Sequence, residues 1–312
     1  MPVPAAFAGR TRLPVIAAPM FLVSGPELVL ASCRAGIVGT FPALNQRTTE
    51  GFAAWLDQIE AALKETPDAA PYGVNLIVHR TNPRVQADLE VCVRHRVPLV
   101  ITSLGAVKEL VDTVHSYGGV VFHDVTNLRH AKKAAAAGVD GLILVCAGAG
   151  GHAGTTNPFA LVAEIRRHFA GTICLAGCLS SGRDVAAAIA MGADYAYMGT
   201  RFIATTEGDA SQKYKDMIVA ANSNDIFYTP AISGIPANFL MPSLVDAGVD
   251  VANLPTDHKI DLGKELDTDS KAWKDIWSAG QGVAGIDDSP SVAVLVDRLA
   301  TEWAEARAAL AG

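Results

Sequence analysis

Hydrophobic positions over roughly the first 200 residues fall in short, nearly unbroken runs, separated by longer stretches with helical spacing. The runs are Leu13–Ala17, Gly36–Thr40, Tyr72–Ile77, Pro98–Thr102, Val120–Phe122, Gly141–Val145, Thr172–Leu175 and Tyr195–Met198. Strands that are apolar throughout, without alternation, are those buried on both faces of a parallel sheet. Between the runs, helices are expected over Pro26–Ala35, Thr49–Lys64, Pro83–His95, Ala106–Tyr117, Asn127–Ala137, Pro158–Phe169 and Gly182–Met191. Several of these end in a glycine just before the next run, at Gly36, Gly118, Gly138 and Gly192, where glycine supplies the left-handed cap. Successive runs begin 21 to 36 residues apart, the length of one strand–helix unit. Eight such units predict an α/β fold, a (β/α)8 TIM barrel, over its competitor, a doubly wound open sheet.

The rhythm stops after Arg201. Residues 207–280 combine polar helical stretches, turns at Pro230, Pro236, Pro242 and Pro255, and a charged stretch at Asp257–Lys274. They are expected to form a smaller, mostly helical domain inserted after strand 8, as a lid or substrate subdomain. Ser291–Leu310 has apolar residues at helical spacing and reads as a closing helix. The expected division is a barrel over 1–206, closed by a C-terminal helix within 281–312, with the insertion over 207–280. A length of 312 residues exceeds the roughly 250 of a plain barrel, and the insertion accounts for the surplus.

Half of the residues are hydrophobic, yet no stretch gives the roughly 20 apolar residues of a membrane span. Asp140 interrupts the richest candidate, Ala134–Cys146. Arg10 and Arg12 precede only Leu13-Pro14-Val15-Ile16 before Pro19, too short for a secretory h-region. A net charge of −7 without Lys/Arg clusters argues against nucleic acid as partner. Five scattered cysteines, at 33, 92, 146, 174 and 178, fit a reducing, cytoplasmic setting and are expected to be buried, unpaired thiols. Cys174 and Cys178 lack a second pair for zinc.

In such a barrel the chemistry sits where strands end. Those ends are Ala18-Pro19-Met20, Asn75-Leu76, Thr102-Ser103, His123-Asp124, Gly148–Gly154, Ala176–Gly182 and Gly199-Thr200-Arg201. The last two are glycine-containing turns with outward N–H groups, the usual phosphate site of a barrel. Gly148–Ala153 superficially fits a dinucleotide fingerprint. It follows the sixth strand, however, Pro158 precedes its helix, and no carboxylate ends the next strand, so that reading is rejected. What remains is a glycine loop, with Gly150 and Gly151, presenting His152 as base or hydrogen-bond donor. His123 could contact a ligand or satisfy a rim hydrogen bond, and Thr102 and Ser103 could donate to a ligand or cap. The histidines at 79, 95, 115, 130, 168 and 258 have no metal spacing, and there is no Gly-x-Ser-x-Gly elbow.

The segments Leu13–Met20 (LPVIAAPM), Gly73–Leu76 (GVNL), Ala147–Gly154 (AGAGGHAG), Ala176–Gly182 (AGCLSSG), Gly192–Glu207 (GADYAYMGTRFIATTE) and Ile276–Gly280 (IWSAG) together resemble the nitronate monooxygenase family, formerly 2-nitropropane dioxygenase. The resemblance implies FMN across the barrel mouth, with Ala18, Pro19, Met20 and Asn75 near its ring. Gly177, Cys178, Gly199 and Thr200 would hold its phosphate, beside Ala176, and His152 would be the catalytic histidine. The implied reaction is oxidation of alkyl nitronates, or nitroalkanes, by O2 to a carbonyl compound and nitrite. Other barrels of this kind imply an NAD(P)H-dependent reductase of quinones or enoyl thioesters instead, and a non-catalytic flavin-binding protein is the alternative from another class. A homodimer is compatible with the resemblance. Three positions depart from it. Asp124 stands where a close branch has lysine. Cys178 replaces a glycine, which suits only a backbone without positive φ. Tyr228–Leu244 is unlike the familiar substrate wall.

Overall fold

Ile16 pairs with Val38 on one side and with Tyr197 on the other, so the first strand of the chain joins the last and the sheet closes on itself. The computed structural model describes residues 4, 7–254 and 275–311. In chain order its strands are β1 (Val15–Ala17), β2 (Val38–Pro42), β3 (Tyr72–Ile77), β4 (Leu99–Ser103), β5 (Val120–Val125), β6 (Gly141–Val145), the two-residue β7 (Gly151–His152), β8 (Thr172–Ala176) and β9 (Tyr195–Met198). All but β7 form an eight-stranded parallel barrel in sequence order. The helices between them are α1 (Pro26–Arg34), α2 (Thr49–Lys64), α3 (Val85–Arg94), α4 (Lys108–Ser116), α5 (Leu128–Ala136), α6 (Pro158–Arg166) and α7 (Gly182–Ala190). The chain is thus a TIM barrel.

Differences from the expected boundaries have local causes. β5 continues through His123 and Asp124 to Val125, because both polar residues stay in the ladder, opposite Leu142 and Ile143. An apolar run marks its end too early. α3 starts at Val85, since the Asn82 side-chain Oδ1 accepts from the Arg84 N–H (3.0 Å) and holds Pro83 in a turn. α7 begins in a capping box: Ser181 accepts from the Asp184 N–H, and Asp184 accepts from the Ser181 N–H.

After β9 comes only the four-residue α8 (Thr200–Ile203). The described residues that follow form α9 (Gln212–Ala220), the hairpin β10 (Ile226–Thr229) and β11 (Ala237–Leu240), and α10 (Met241–Asp246). The expectation of a mostly helical segment misses this hairpin, which β7 extends to a three-stranded sheet. Pro255, His258 and the Asp257–Lys274 stretch lie outside the described residues. The closing helix α11 (Val292–Ala311) starts eleven residues after 281: Gln281–Gly285 forms only a 3-10 turn, and the chain then stays irregular through Pro290. α11 fills the place of an eighth barrel helix, packing Val292, Leu295, Val296 and Leu299 against Leu28 and Val185. Asp288 ties the two ends of this excursion together, bonding Arg201 at 2.8 Å and Arg298 at 2.6 Å. No helix among the described residues is long and apolar enough to cross a membrane.

The barrel interior is packed by Ile16, Val38, Leu99, Ile101, Phe122, Ile143, Cys174 and Tyr195. Phe7 closes its lower end, fully buried, with its ring 5.9 Å from those of Phe122 and Tyr195. Of the five thiols, four are buried as expected, but Cys178 is exposed because it lies in a loop at the mouth. Removing the plug should be costly: Phe7→Ala is expected to lower stability by about 3–5 kcal/mol, read as a shift in urea midpoint at unchanged slope.

Candidate active site

The C-terminal strand ends surround one cavity of about 1390 Å3, above the roughly 300–1,000 Å3 of ordinary small-molecule sites. Ala18, Pro19, Met20, Asn75, His123, Gly150, Gly151, His152, Ala176, Gly177, Cys178, Gly199 and Thr200 all line it. Thr102 does not. It is buried behind the wall, its hydroxyl 2.7 Å from His123 Nδ1, so it orients that ring instead of facing the cavity. Burial holds the His123 imidazole down at about 4, so the ring is neutral near pH 7.

The first loop is set by Asn45, which donates to the Met20 and Ser24 carbonyls at 3.0 and 2.8 Å and accepts from the Leu22 N–H at 3.0 Å. Leu22 and Leu104 both adopt left-handed backbone, with φ of 58° and 64°, and with Phe21 they stand exposed at the mouth. Strain of this kind costs about 1–3 kcal/mol per residue and gathers at functional sites.

His152 lies on β7, whose register places it opposite Ala237 of β11. Around it the loop is tied at every step. Asn238 donates to the Ala149 carbonyl (2.7 Å), Ser278 accepts from the Gly151 N–H (2.7 Å), and the Tyr228 hydroxyl donates to the Ala153 carbonyl (3.0 Å). Gly150 and Gly280 meet backbone to backbone. A Cβ on Gly150 would stand 2.9 Å from the Gly280 nitrogen, and one on Gly280 would stand 2.5 Å from the Gly148 carbonyl. Tyr214 stacks on Trp277 (4.8 Å between centroids, 12° between planes) and its hydroxyl donates to the Ser278 carbonyl. The Ile276–Gly280 segment therefore forms the support of the histidine loop.

Beside this loop lie the two glycine turns that follow β8 and β9. Asp184 accepts from the Ser180 and Ser181 N–H groups, each at 2.8 Å, and Glu302 accepts from Gly182 at 2.6 Å. The start of α7 is thus already satisfied. None of the described residues accepts from the N–H groups of Cys178 or Leu179. These are the donors an anion can use. The condition set for Cys178 is not met: its φ is +59°, in the left-handed region. The neighbouring Gly148 accommodates it, since a Cβ there would come within 2.5 Å of the Cys178 sulfur.

Asp124, the next-to-last residue of β5, lies at the cavity floor. Asn75 Nδ2 donates to Ser103 Oγ (2.8 Å), and Ser103 donates to Asp124 Oδ2. Burial raises the Asp124 carboxyl to about 6, against the Ser103 hydrogen bond and the charge of His152. Tyr197 lines the same floor, its hydroxyl pushed well above the ordinary range by burial. Strand-end reasoning reaches Ser103 and Asp124 but does not pair them. Alternation along β9, which sets Tyr195 and Tyr197 on one face, would have found Tyr197. Nothing local marks Tyr214, whose role depends on Trp277, 63 residues away. Away from the mouth, His115 meets Asp140 at 2.8 Å and His95 meets Glu60 at 3.2 Å, and no metal-binding group occurs among the described residues.

Comparisons with known proteins agree with this geometry. The family model described as nitronate monooxygenase matches residues 7–302. A (3aS,4S,5R,7aS)-5-hydroxy-7a-methyl-1-oxo-octahydro-1H-indene-4-carboxyl-CoA dehydrogenase of Rhodococcus jostii is 29% identical over 75% of the chain, which spans only 64% of that relative's length. A nitronate monooxygenase of Paraburkholderia phytofirmans is 26% identical over 83% of the chain and 82% of its own. The solved nitroalkane oxidase of Streptomyces ansochromogenes superimposes with a TM-score of 0.82 at 26% identity, covering 98% of this chain and all of that one.

The raised Asp124 carboxyl has a consequence for stability. As pH climbs from about 4 to 6 the unfolded chain releases this proton before the folded one, so folding loses stability over that window and keeps the deficit above it. Asp124→Asn removes the deficit. It is expected to match wild type at pH 4 and to exceed it at pH 7 by on the order of 2–3 kcal/mol, measured by urea denaturation at both pH values.

Proposed function

Because the chain belongs to the nitronate monooxygenase family, we propose that this oxidoreductase binds FMN and oxidises alkyl nitronates, or the parent nitroalkanes, with O2 to a carbonyl compound and nitrite. The observation that carries this reading is that His152 lines the same deep cavity as a loop with unused N–H donors at Cys178 and Leu179. Those residues fit the cofactor. The Cys178 and Leu179 N–H groups, with Gly199 and Thr200, would hold the phosphate, while Ala18, Pro19, Met20 and Asn75 would flank the ring. Bound there, the flavin supplies an electron acceptor for a carbanion-like substrate, a capacity no side chain has.

The protein's own part is orientation and proton handling. His152 takes the proton from the carbon bearing the nitro group, or donates to a nitro oxygen when the substrate arrives as nitronate. General-base help of this sort amounts to roughly 10²–10⁴-fold. The Ser278 hydrogen bond to Gly151 and the β7–β11 pairing hold the backbone that carries the imidazole. Neutral His123, fixed by Thr102, adds a polar contact without charge. Small molecules and O2 are then the partners, in a cytoplasmic setting.

A second reading, an NAD(P)H-dependent flavin reductase of quinones or enoyl thioesters, is favoured by the cavity's size and its exposed apolar rim of Phe21, Leu22 and Leu104. The Rhodococcus relative is itself named for a CoA thioester.

His152→Asn should abolish turnover of neutral nitroalkanes while keeping bound FMN and part of the activity on preformed nitronates. Unchanged nitroalkane kinetics would remove the base role. Anaerobic mixing decides between the two readings: bleaching of the flavin by nitronate but not by NADH or NADPH is the expected result, and rapid bleaching by a nicotinamide would establish the reductase.

A further inference from the structure

Among the described residues four arginines and lysines line the cavity, Arg47, Arg84, Arg129 and Lys133, against two acids, Asp124 and Asp209. In a chain of net charge −7 that balance is the reverse of the whole. Arg84 is committed to Asp88 at 3.0 Å, and Arg47 lies between β2 and α2. Arg129 and Lys133 are different. They are four residues apart on α5, so they share one helix face and stand one turn from each other. Both are exposed, and neither pairs with a carboxylate among the described residues.

Nothing local recommends this arrangement. Like charges at that spacing repel. Arg129 also lies in the first turn of α5, which holds no acid, where the helix field disfavours a cation. An anion bound between the two reverses both effects. At His123 burial dominates, and after it the charges of His130 and Lys133 also press the imidazole down. The charge of Lys133 therefore lies close to the cavity wall that His123 forms.

Barrel order fixes what stands beside these cations. α5 follows β5, the His152 loop follows β6, and the Cys178 and Leu179 N–H donors follow β8. The cations are thus on one side of the histidine loop and the N–H donors on the other. A Cβ on Gly154 would come 3.1 Å from Thr126 Cβ, so the histidine loop packs against the connection that leads into α5. β4, the other neighbour of β5, is followed by the exposed, cavity-lining Leu104.

We propose that Arg129 and Lys133 form an anion subsite separate from that of the cofactor, and that it takes a phosphate group at the far end of the reactant. This deepens the flavin reading above and rests on it. The reacting carbon lies at His152, the phosphate lies on α5, and Leu104 gives apolar surface for the attached carbon chain. Two cations suit one phosphate group and not a polyanion. Two kinds of reactant carry such a group: an alkyl phosphate that is itself oxidised, and NADPH, whose 2′-phosphate NADH lacks.

The test uses the FMN-loaded protein, in which the Cys178 and Leu179 donors are occupied, and compares octyl phosphate with octanol by titration calorimetry. At about pH 8 an alkyl phosphate is doubly charged. Octyl phosphate should bind roughly three- to thirtyfold more tightly than octanol, as two exposed ion pairs give. Arg129→Gln combined with Lys133→Gln should erase the difference, salt at about 0.5 M should shrink it, and Arg47→Gln should keep it. Anaerobic flavin reduction then identifies the source. Either the nitronate of nitrooctane is outpaced by its phosphate-terminated analogue, or NADH is outpaced by NADPH, in each case only while Arg129 and Lys133 are present. No phosphate advantage in wild type, one that survives the double substitution, or one that Arg47→Gln removes equally, overturns the proposal and leaves the flavin reading standing. So does an advantage in binding with none in either reduction. A wild-type protein that takes up no FMN overturns both.

Discussion

Everything at the mouth of this molecule depends on one closure, the pairing of β1 with both β2 and β9. A parallel sheet left open would have two unpaired edges and would spread its strand ends along a line. Closed, it has no edge, and it brings residues as distant as Ala18, Asn75, Asp124, Gly177 and Thr200 around a single cavity. The closing interaction is short, three residue pairs between β1 and β9. It is backed by α11, which packs over both strands with Val296 and Leu299. That is why the chain must return after its excursion, and why Asp288 clamps Arg201, at the end of the barrel, to Arg298 on the returning helix.

The excursion in turn supports the chemistry. Loops after barrel strands are the variable part of this architecture, and an imidazole on a glycine-rich loop would ordinarily sample many positions. Here β7 is drawn into a sheet with β10 and β11, and Gly150 and Gly280 approach so closely that neither admits a side chain. The freedom that glycine gives the loop is thereby taken up by contact with another part of the chain. Close approach requires glycine at 150 and 280, whereas left-handed backbone, with φ of 80° and 70°, favours it at the neighbouring 148 and 151, and the sequence alone does not separate the two roles.

The barrel is legible in the sequence because burial on both faces leaves an unmistakable trace: β3, β6 and β9 match their apolar runs end to end. β5 shows the limit, since His123 and Asp124 belong to the strand but not to its apolar pattern. Most cavity-lining residues are equally legible, because topology puts every strand end at one mouth. Orientation is not. Thr102 and Ser103 are neighbours with similar side chains, yet the pleat turns one back onto His123 and the other into the cavity. The β10–β11 hairpin was missed for a related reason: its strands are only four residues each and depend on pairing with β7. Tyr214 and Trp277 find each other only in three dimensions.

Phe7 and its contacts at the lower end of the barrel have a kinetic meaning as well as a structural one. With that end sealed by aromatic rings, the described residues open the cavity at the strand ends. Whatever enters and leaves by that mouth shares it, so arrivals and departures queue. A bulky first guest delays the second, and the order of traffic becomes a property of the architecture before any bond is made or broken.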